Sequence, residues 1–230
     1  MPFFFYDYYY IILVIPAMIL AMVAQVKVKS TYNKFAKVNN TRGITGAYAA
    51  QAVLSHYGIN DVRIEQVAGK LSDHYDPKAK VIRLSSEVYS GTSIAAVGIA
   101  CHEAGHAAQH AESYTPIKVR NTLVPVCNLG STLGIPLAIL GYFLGFEPLI
   151  TIGLVLYAAI AVFHLVTLPV EFNASRRAVK VIDDTQLLYD DEISGAKKVL
   201  TAAAMTYVAS LVVAIANLLR LVLRFNNRRN

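Results

Sequence analysis

Four apolar runs, over about residues 8–26, 123–143, 149–168 and 202–223, constrain this chain more than any other feature. Each is close to the roughly 20 residues that a helix needs to cross the hydrocarbon core of a bilayer. In hydrocarbon every backbone N–H and C=O must be bonded within the chain, so such runs fold as helices. The composition agrees: of 230 residues, 55% are apolar and only 16% charged, with a mean hydropathy of +0.45. An ordinary water-soluble domain is excluded on those figures. The expected fold is a mainly α (α+β) integral membrane protein with about four transmembrane helices.

Charge sets the expected orientation. The 21 Lys and Arg exceed the 15 Asp and Glu, giving a formal charge of +6. The excess sits beside the apolar runs, where it acts through the positive-inside rule and anionic headgroups. Nucleic acid is not an expected partner, because the aromatic-rich N-terminal stretch carries no Lys or Arg. Lys27, Lys29, Lys34 and Lys37 follow the first run, which places the N-terminus outside. That run reads as an uncleaved anchor, since no basic segment precedes it and no small-x-small cleavage site follows. Lys118 and Arg120 before the central pair, and Arg176, Arg177 and Lys180 after it, place both outer ends in the cytoplasm. The last run has Lys197 and Lys198 on one side and Arg224, Arg228 and Arg229 on the other, so its charges do not decide its course; spanning is the expectation.

These signals divide the chain into an anchor (1–29), a water-compatible domain (30–120), a transmembrane hairpin (121–168), a helix and linker (169–201), and a final membrane helix with a basic tail (202–230). Within 30–120, a helix is predicted over 45–57, bracketed by Gly43, Gly46 and Gly58. Asp73 to Pro77 reads as a turn into a strand over 81–84. Residues 93–111, small and apolar without proline, form one continuous buried helix. Cys101 and Cys127 lie in apolar surroundings and read as small buried residues rather than metal ligands.

That helix carries His102-Glu103-Ala104-Gly105-His106, an HExxH sequence. Residues i and i+4 share a helix face, so both imidazoles reach one ion, and Glu103 faces it without binding, placed to take a proton from the attacking water. Three ionisable groups within five residues of an apolar helix would be costly without a partner such as a metal. Catalytic zinc needs a third protein ligand. His110 lies roughly 12 Å from His102 along the axis, and the helix break that would bring it in requires glycine at the position of Gln109. Glu171, just beyond the third apolar run, can close the site; its alternative role is to favour a helix dipole in the first turn after Pro169.

HEAGH followed about seventy residues later by Glu171-Phe172-Asn173-Ala174 resembles the membrane zinc peptidases of the CAAX-prenyl-protease and heat-shock-protease group, and most of all the small YugP-like neutral zinc metallopeptidases. The segments Thr41–Ala47 and Leu71–Asp76 share the resemblance, so it covers most of the chain. It implies a gluzincin-like site with one Zn²⁺ per chain, His102, His106 and Glu171 as ligands, and Glu103 as general base. The family's Glu-x-x-Ala-Asp motif falls on Glu171 and Ala174, but its Asp position is Ser175 here.

Other polar groups carry weaker expectations. His74 and Tyr75 precede the strand and are candidate substrate-binding residues, since a strand near the metal helix can pair with an extended peptide; turn chemistry is the plainer account. His164 lies within a membrane run, where an ionisable group is a functional candidate, although packing with one hydrogen bond also explains it. Arg176 and Arg177 read as topology signals. The expected activity is metalloendopeptidase cleavage of an extended, membrane-associated polypeptide on the cytoplasmic side of a bacterial-type plasma membrane. Its rivals are a catalytically silent zinc-binding scaffold, and an intramembrane protease, which would need an Asp inside the hairpin helices.

Overall fold

The computed structural model describes residues 7–226; Arg228 and Arg229, used in the charge argument, lie outside them. A π-helical turn, Tyr10–Val14, leads into α1 (Ile15–Phe35). There follow α2 (Gly46–His56), β1 (Arg63–Val67), β2 (His74–Asp76), β3 (Val81–Ser85), α3 (Ser86–Tyr89), α4 (Ile94–Ala111), α5 (Thr115–Leu144), α6 (Glu147–Asp184) and α7 (Asp190–Asn226). The protein is mainly helical, with one small sheet. Four helical segments are long and apolar enough to cross a membrane: Tyr10–Phe35, Thr115–Leu144, Glu147–Asp184 and Asp190–Phe225. It is a predominantly α integral membrane protein, as the apolar runs require. At 38 and 37 residues, α6 and α7 are each roughly twice as long as the hydrocarbon core is thick, so each continues well beyond it.

The chain divides into two compact units. The first comprises residues 1–25, 118–169 and 205–230, and the second residues 26–117 and 170–204.

In the first unit α5 and α6 form a hairpin that turns at Gly145, whose φ of +66° is the left-handed conformation that ends a helix at least cost in glycine. The helices touch backbone to backbone: a Cβ on Gly130 would lie 2.1 Å from the Leu156 carbonyl oxygen. Small residues at such contacts are how helices pack closely in lipid, where hydrophobic exclusion gives no drive. The chain stays helical through Pro125 and Pro136, so these prolines do not break the span. Asp7 joins the two ends of the chain. Its carboxylate accepts from Arg220 at 3.1 Å and 3.2 Å and from Arg224 at 3.1 Å, and the Arg220 guanidinium lies 4.9 Å from the Tyr10 ring centre. The start of the first membrane helix and the end of the last therefore meet, and α7 is long and apolar enough to cross a membrane. Arg220 and Arg224 share the single carboxylate of Asp7, which offsets part of their charge.

In the second unit the sheet order is β1-β3-β2, with β1 parallel and β2 antiparallel to the central β3. The predicted turn at 73–77 is itself a strand over His74–Asp76. Sequence reasoning missed β1, where the mixed run Arg-Ile-Glu-Gln-Val hides any strict alternation. Asp73 holds the end of β3 by accepting from the Ser85 amide at 2.7 Å and its hydroxyl at 3.0 Å. α2 and α4 start where expected: the Thr45 and Ser93 side chains accept from the Tyr48 and Ala96 amides. Such caps satisfy amides that the helix leaves unbonded. The core is formed by Val53 and Leu54 of α2, Ile82 and Leu84 of β3, Val97, Cys101 and Ala104 of α4, and Val181 and Ile182 of α6, all fully buried.

The Asp7 cluster makes a stability prediction. Asp7→Ala removes the carboxylate that two guanidinium groups share in a site where the side chains of Asp7 and Arg220 are each 9% exposed. The loss is expected to be about 3 kcal/mol, seen as a lowered unfolding temperature in detergent; an unchanged unfolding temperature would show that the cluster does not hold the helices.

Candidate metal centre

α4 carries the two histidines of HExxH on one face, and the second half of α6 lies against that face. The approach depends on Gly105, the fourth residue of the motif: a Cβ there would sit 2.7 Å from the Ala174 carbonyl oxygen. With glycine in α4 and alanine in α6, Glu171 reaches the histidines from one turn before Ala174. α6 runs unbroken through Pro169, so Glu171 is a mid-helix residue and not a first-turn residue facing a helix dipole.

The Glu171 Oε2 atom lies 3.3 Å from His102 Nε2 and 3.7 Å from His106 Nε2. The imidazole centres are 4.7 Å apart and nearly perpendicular, at 80°. The three side chains are 16%, 11% and 3% exposed for His102, His106 and Glu171. Among the described residues these three form the cluster of His, Cys, Asp and Glu able to hold a metal ion. Ligands about 2.0–2.1 Å from a tetrahedral zinc stand roughly 3.3–3.4 Å from one another; the His102–Glu171 pair matches this at 3.3 Å, the His106–Glu171 pair is wider at 3.7 Å, and all three donors lie within 4.8 Å of one another. The Nδ1 atoms are engaged elsewhere, His102 Nδ1 with Ser175 Oγ at 3.1 Å and His106 Nδ1 with Gln109 Oε1 at 3.0 Å. Both Nε2 atoms are thus left to face the carboxylate. Ser175 meets the imidazole from the position where the resemblance would put an aspartate, so a neutral hydroxyl replaces a carboxylate beside His102.

Electrostatics ties the three groups together. Burial raises the Glu171 carboxyl, but hydrogen bonds and charge from both imidazoles outweigh it and hold the group well below the ordinary carboxylate range. Burial likewise opposes the charged form of His106; the Glu171 hydrogen bond, the charge of Glu103, that of Glu171 itself and the Gln109 oxygen outweigh it and raise the imidazole above its ordinary value. Glu103, half-buried, adds its charge to the site without belonging to the ligand cluster.

The remaining candidates fall elsewhere. His110 packs its ring edge-on against Tyr75, with centroids 5.6 Å apart, and is not in the cluster. His74 is exposed at the edge of the sheet, its Nδ1 2.8 Å from the Ser72 carbonyl oxygen. His164 is half-buried beside Phe163 in the first unit. Cys101 is buried and unpaired, and burial pushes its thiol well up, as for a packing residue. Arg177 is not a surface charge: it pairs with Glu112 at 2.6 Å and donates through Nε to Asn173 Oδ1 at 2.8 Å. Sequence reasoning missed Gln109 and Asn173. Gln109 had one readable signal, a fully buried amide three residues after His106 on the same helix face.

Fold and donor set together define an integral membrane protein with a buried two-histidine, one-carboxylate cluster suited to a metal ion. Residues 10–226 match the family described as "putative neutral zinc metallopeptidase", and the chain belongs to that family. It is 46% identical over 221 residues, 96% of this chain and 98% of the relative, to "Putative membrane protease YugP" of Bacillus subtilis (strain 168). No solved structure matches the chain.

The proton affinities predict how the metal-free protein responds to pH. Glu171 is lowered from 4.5, so its contribution is complete above that value and is lost as pH falls through the folded value. His106 is raised from 6.5, so its contribution is complete below that value and is lost as pH rises through the folded value. Metal-free protein is expected to unfold at lower temperature at about pH 9 than at about pH 6, and added zinc to oppose that loss by replacing the proton. Equal zinc stabilisation at both pH values would contradict this coupling.

Proposed function

We propose that this protein is a membrane-bound zinc metalloendopeptidase in which His102, His106 and Glu171 hold the metal and Glu103 is the general base. The observation that carries the reading is the convergence of two Nε2 atoms on one carboxylate oxygen at 3.3 Å and 3.7 Å, on the HExxH helix of a zinc-peptidase family member. Zinc, when bound, polarises a peptide carbonyl and makes water more acidic. Glu103, next to His102 in sequence and half-buried, accepts the proton of the attacking water and returns it to the leaving amine. The two helices that bring the ligands together keep them rigid and largely dry, which strengthens the electrostatics of the site.

The substrate is an extended polypeptide close to the bilayer. β2 is an edge strand, and its Tyr75 rests on His110 of the HExxH helix, so a peptide adding to that edge would run alongside α4. His74 and Tyr75 serve this strand as parts of a substrate-binding edge. The active site faces the cytoplasm of a bacterial-type plasma membrane, a reading supported by Lys27, Lys29, Lys34 and Lys37 after the first span and Lys118 and Arg120 before the second. The apolar spans of the hairpin, over about residues 123–143 and 149–168, carry no Asp, which argues against cleavage within the membrane.

Glu103→Ala separates an enzyme from a zinc-binding scaffold. Purified in detergent, this variant is expected to keep its zinc and lose peptide cleavage roughly 10²–10⁴-fold. Undiminished cleavage would remove Glu103 from the mechanism, and a wild type that cleaves nothing would favour the scaffold.

A further inference from the structure

We propose that Gln109, Asn173 and Arg177 form a relay of fixed hydrogen-bond polarity that locks His106 in the Nδ1–H tautomer and so presents its Nε2 lone pair to the metal. The proposal rests on the metal-site reading above and assigns positioning residues that neither the motif nor the family resemblance supplies.

The relay starts from a group with no choice of role. Arg177 only donates, and its Nε lies 2.8 Å from Asn173 Oδ1, so that atom of the Asn173 amide is the oxygen. Arg177 is itself held by Glu112 and lies against the rings of Tyr57 and Tyr114, at 5.5 Å and 6.0 Å. Gln109 Nε2 then donates to Asn173 Oδ1 at 2.9 Å and to the Val170 carbonyl oxygen at 2.8 Å. A peptide carbonyl only accepts, so Val170 favours the same orientation of the Gln109 amide, and the two acceptors together fix it. Turned the other way, the amide would set its oxygen against two acceptors. With both Nε2 hydrogens used, Oε1 faces His106 Nδ1 at 3.0 Å, and an oxygen there demands N–H on the imidazole.

Burial makes the lock strict. Gln109 is 0% exposed, so no solvent water replaces a partner that it loses. His102 differs, because its Nδ1 partner is the Ser175 hydroxyl, whose rotor can donate or accept. The two zinc histidines are therefore held unequally, one by a polarity chain of three residues and one by an adaptable hydroxyl. Supporting groups of this kind orient metal histidines and typically change metal affinity 10- to 100-fold when removed.

Two readouts test the relay. Imidazole ¹⁵N NMR of histidine-labelled protein, with and without zinc, should show His106 as the Nδ1–H tautomer in both forms when neutral, because Gln109 Oε1 lies 3.0 Å from Nδ1 while the competing Glu171 Oε2 lies 3.7 Å from Nε2. Gln109→Leu should mix the tautomers and weaken zinc binding, measured by chelator competition, about 10- to 100-fold. Asn173→Leu should move both readouts in the same direction, and Asn173→Asp, which keeps an acceptor for Gln109 and Arg177, should restore them. An Nε2–H tautomer in the wild type, an unchanged tautomer in Gln109→Leu, or equal effects of Asn173→Leu and Asn173→Asp would overturn the relay. Failure of the wild type to bind zinc would instead sink the metal-site reading, while the tautomer of metal-free His106 would still decide the relay.

Discussion

The meeting of one buried carboxylate with two imidazoles sets the terms for the rest of the second unit. Three ionisable groups withdrawn from water are expensive unless each has a partner, and here each has one. Glu171 faces both Nε2 atoms, and the outer nitrogens are bonded to Ser175 and Gln109. A divalent ion suits such a site because it replaces the protons that otherwise hold these groups together.

Bringing the carboxylate there requires two helices whose axes come unusually close. Gly105 and Ala174 allow it: the backbone of α6 occupies the place where a side chain of α4 would stand. The sheet also supports α4, with Ile82 and Leu84 of β3 joining Val97, Cys101 and Ala104 in one core. The small residues of the HExxH helix thus serve two contacts at once. Larger apolar side chains would bury more surface but would hold α6, and Glu171 with it, too far from the histidines.

Much of this was legible in the sequence. The apolar runs located the four membrane helices, the bracketing glycines and the proline-free run of small apolar residues located α2 and α4, and the i, i+4 spacing placed both histidines on one face. Other features depend on tertiary contacts that leave no local pattern. β1 has too irregular an alternation to be read as a strand, and β2 is three residues long and looked like the turn beside it. Arg177 resembled a topology signal because it follows a span next to Arg176; only the fold shows that Asn173, one turn earlier, and Glu112 from α4's end absorb it. Arg224, read as a flanking charge of the last run, likewise has a partner, Asp7, more than two hundred residues away.

The central claim is that one zinc ion is held jointly by the HExxH helix and Glu171. Metal analysis of purified wild type beside Glu171→Gln tests it most directly, since glutamine keeps the size and polarity of the side chain but removes the anionic ligand. One zinc per chain in the wild type, with most of it lost in the variant, is the expected result. Equal zinc in both proteins, or none in the wild type, would contradict the account.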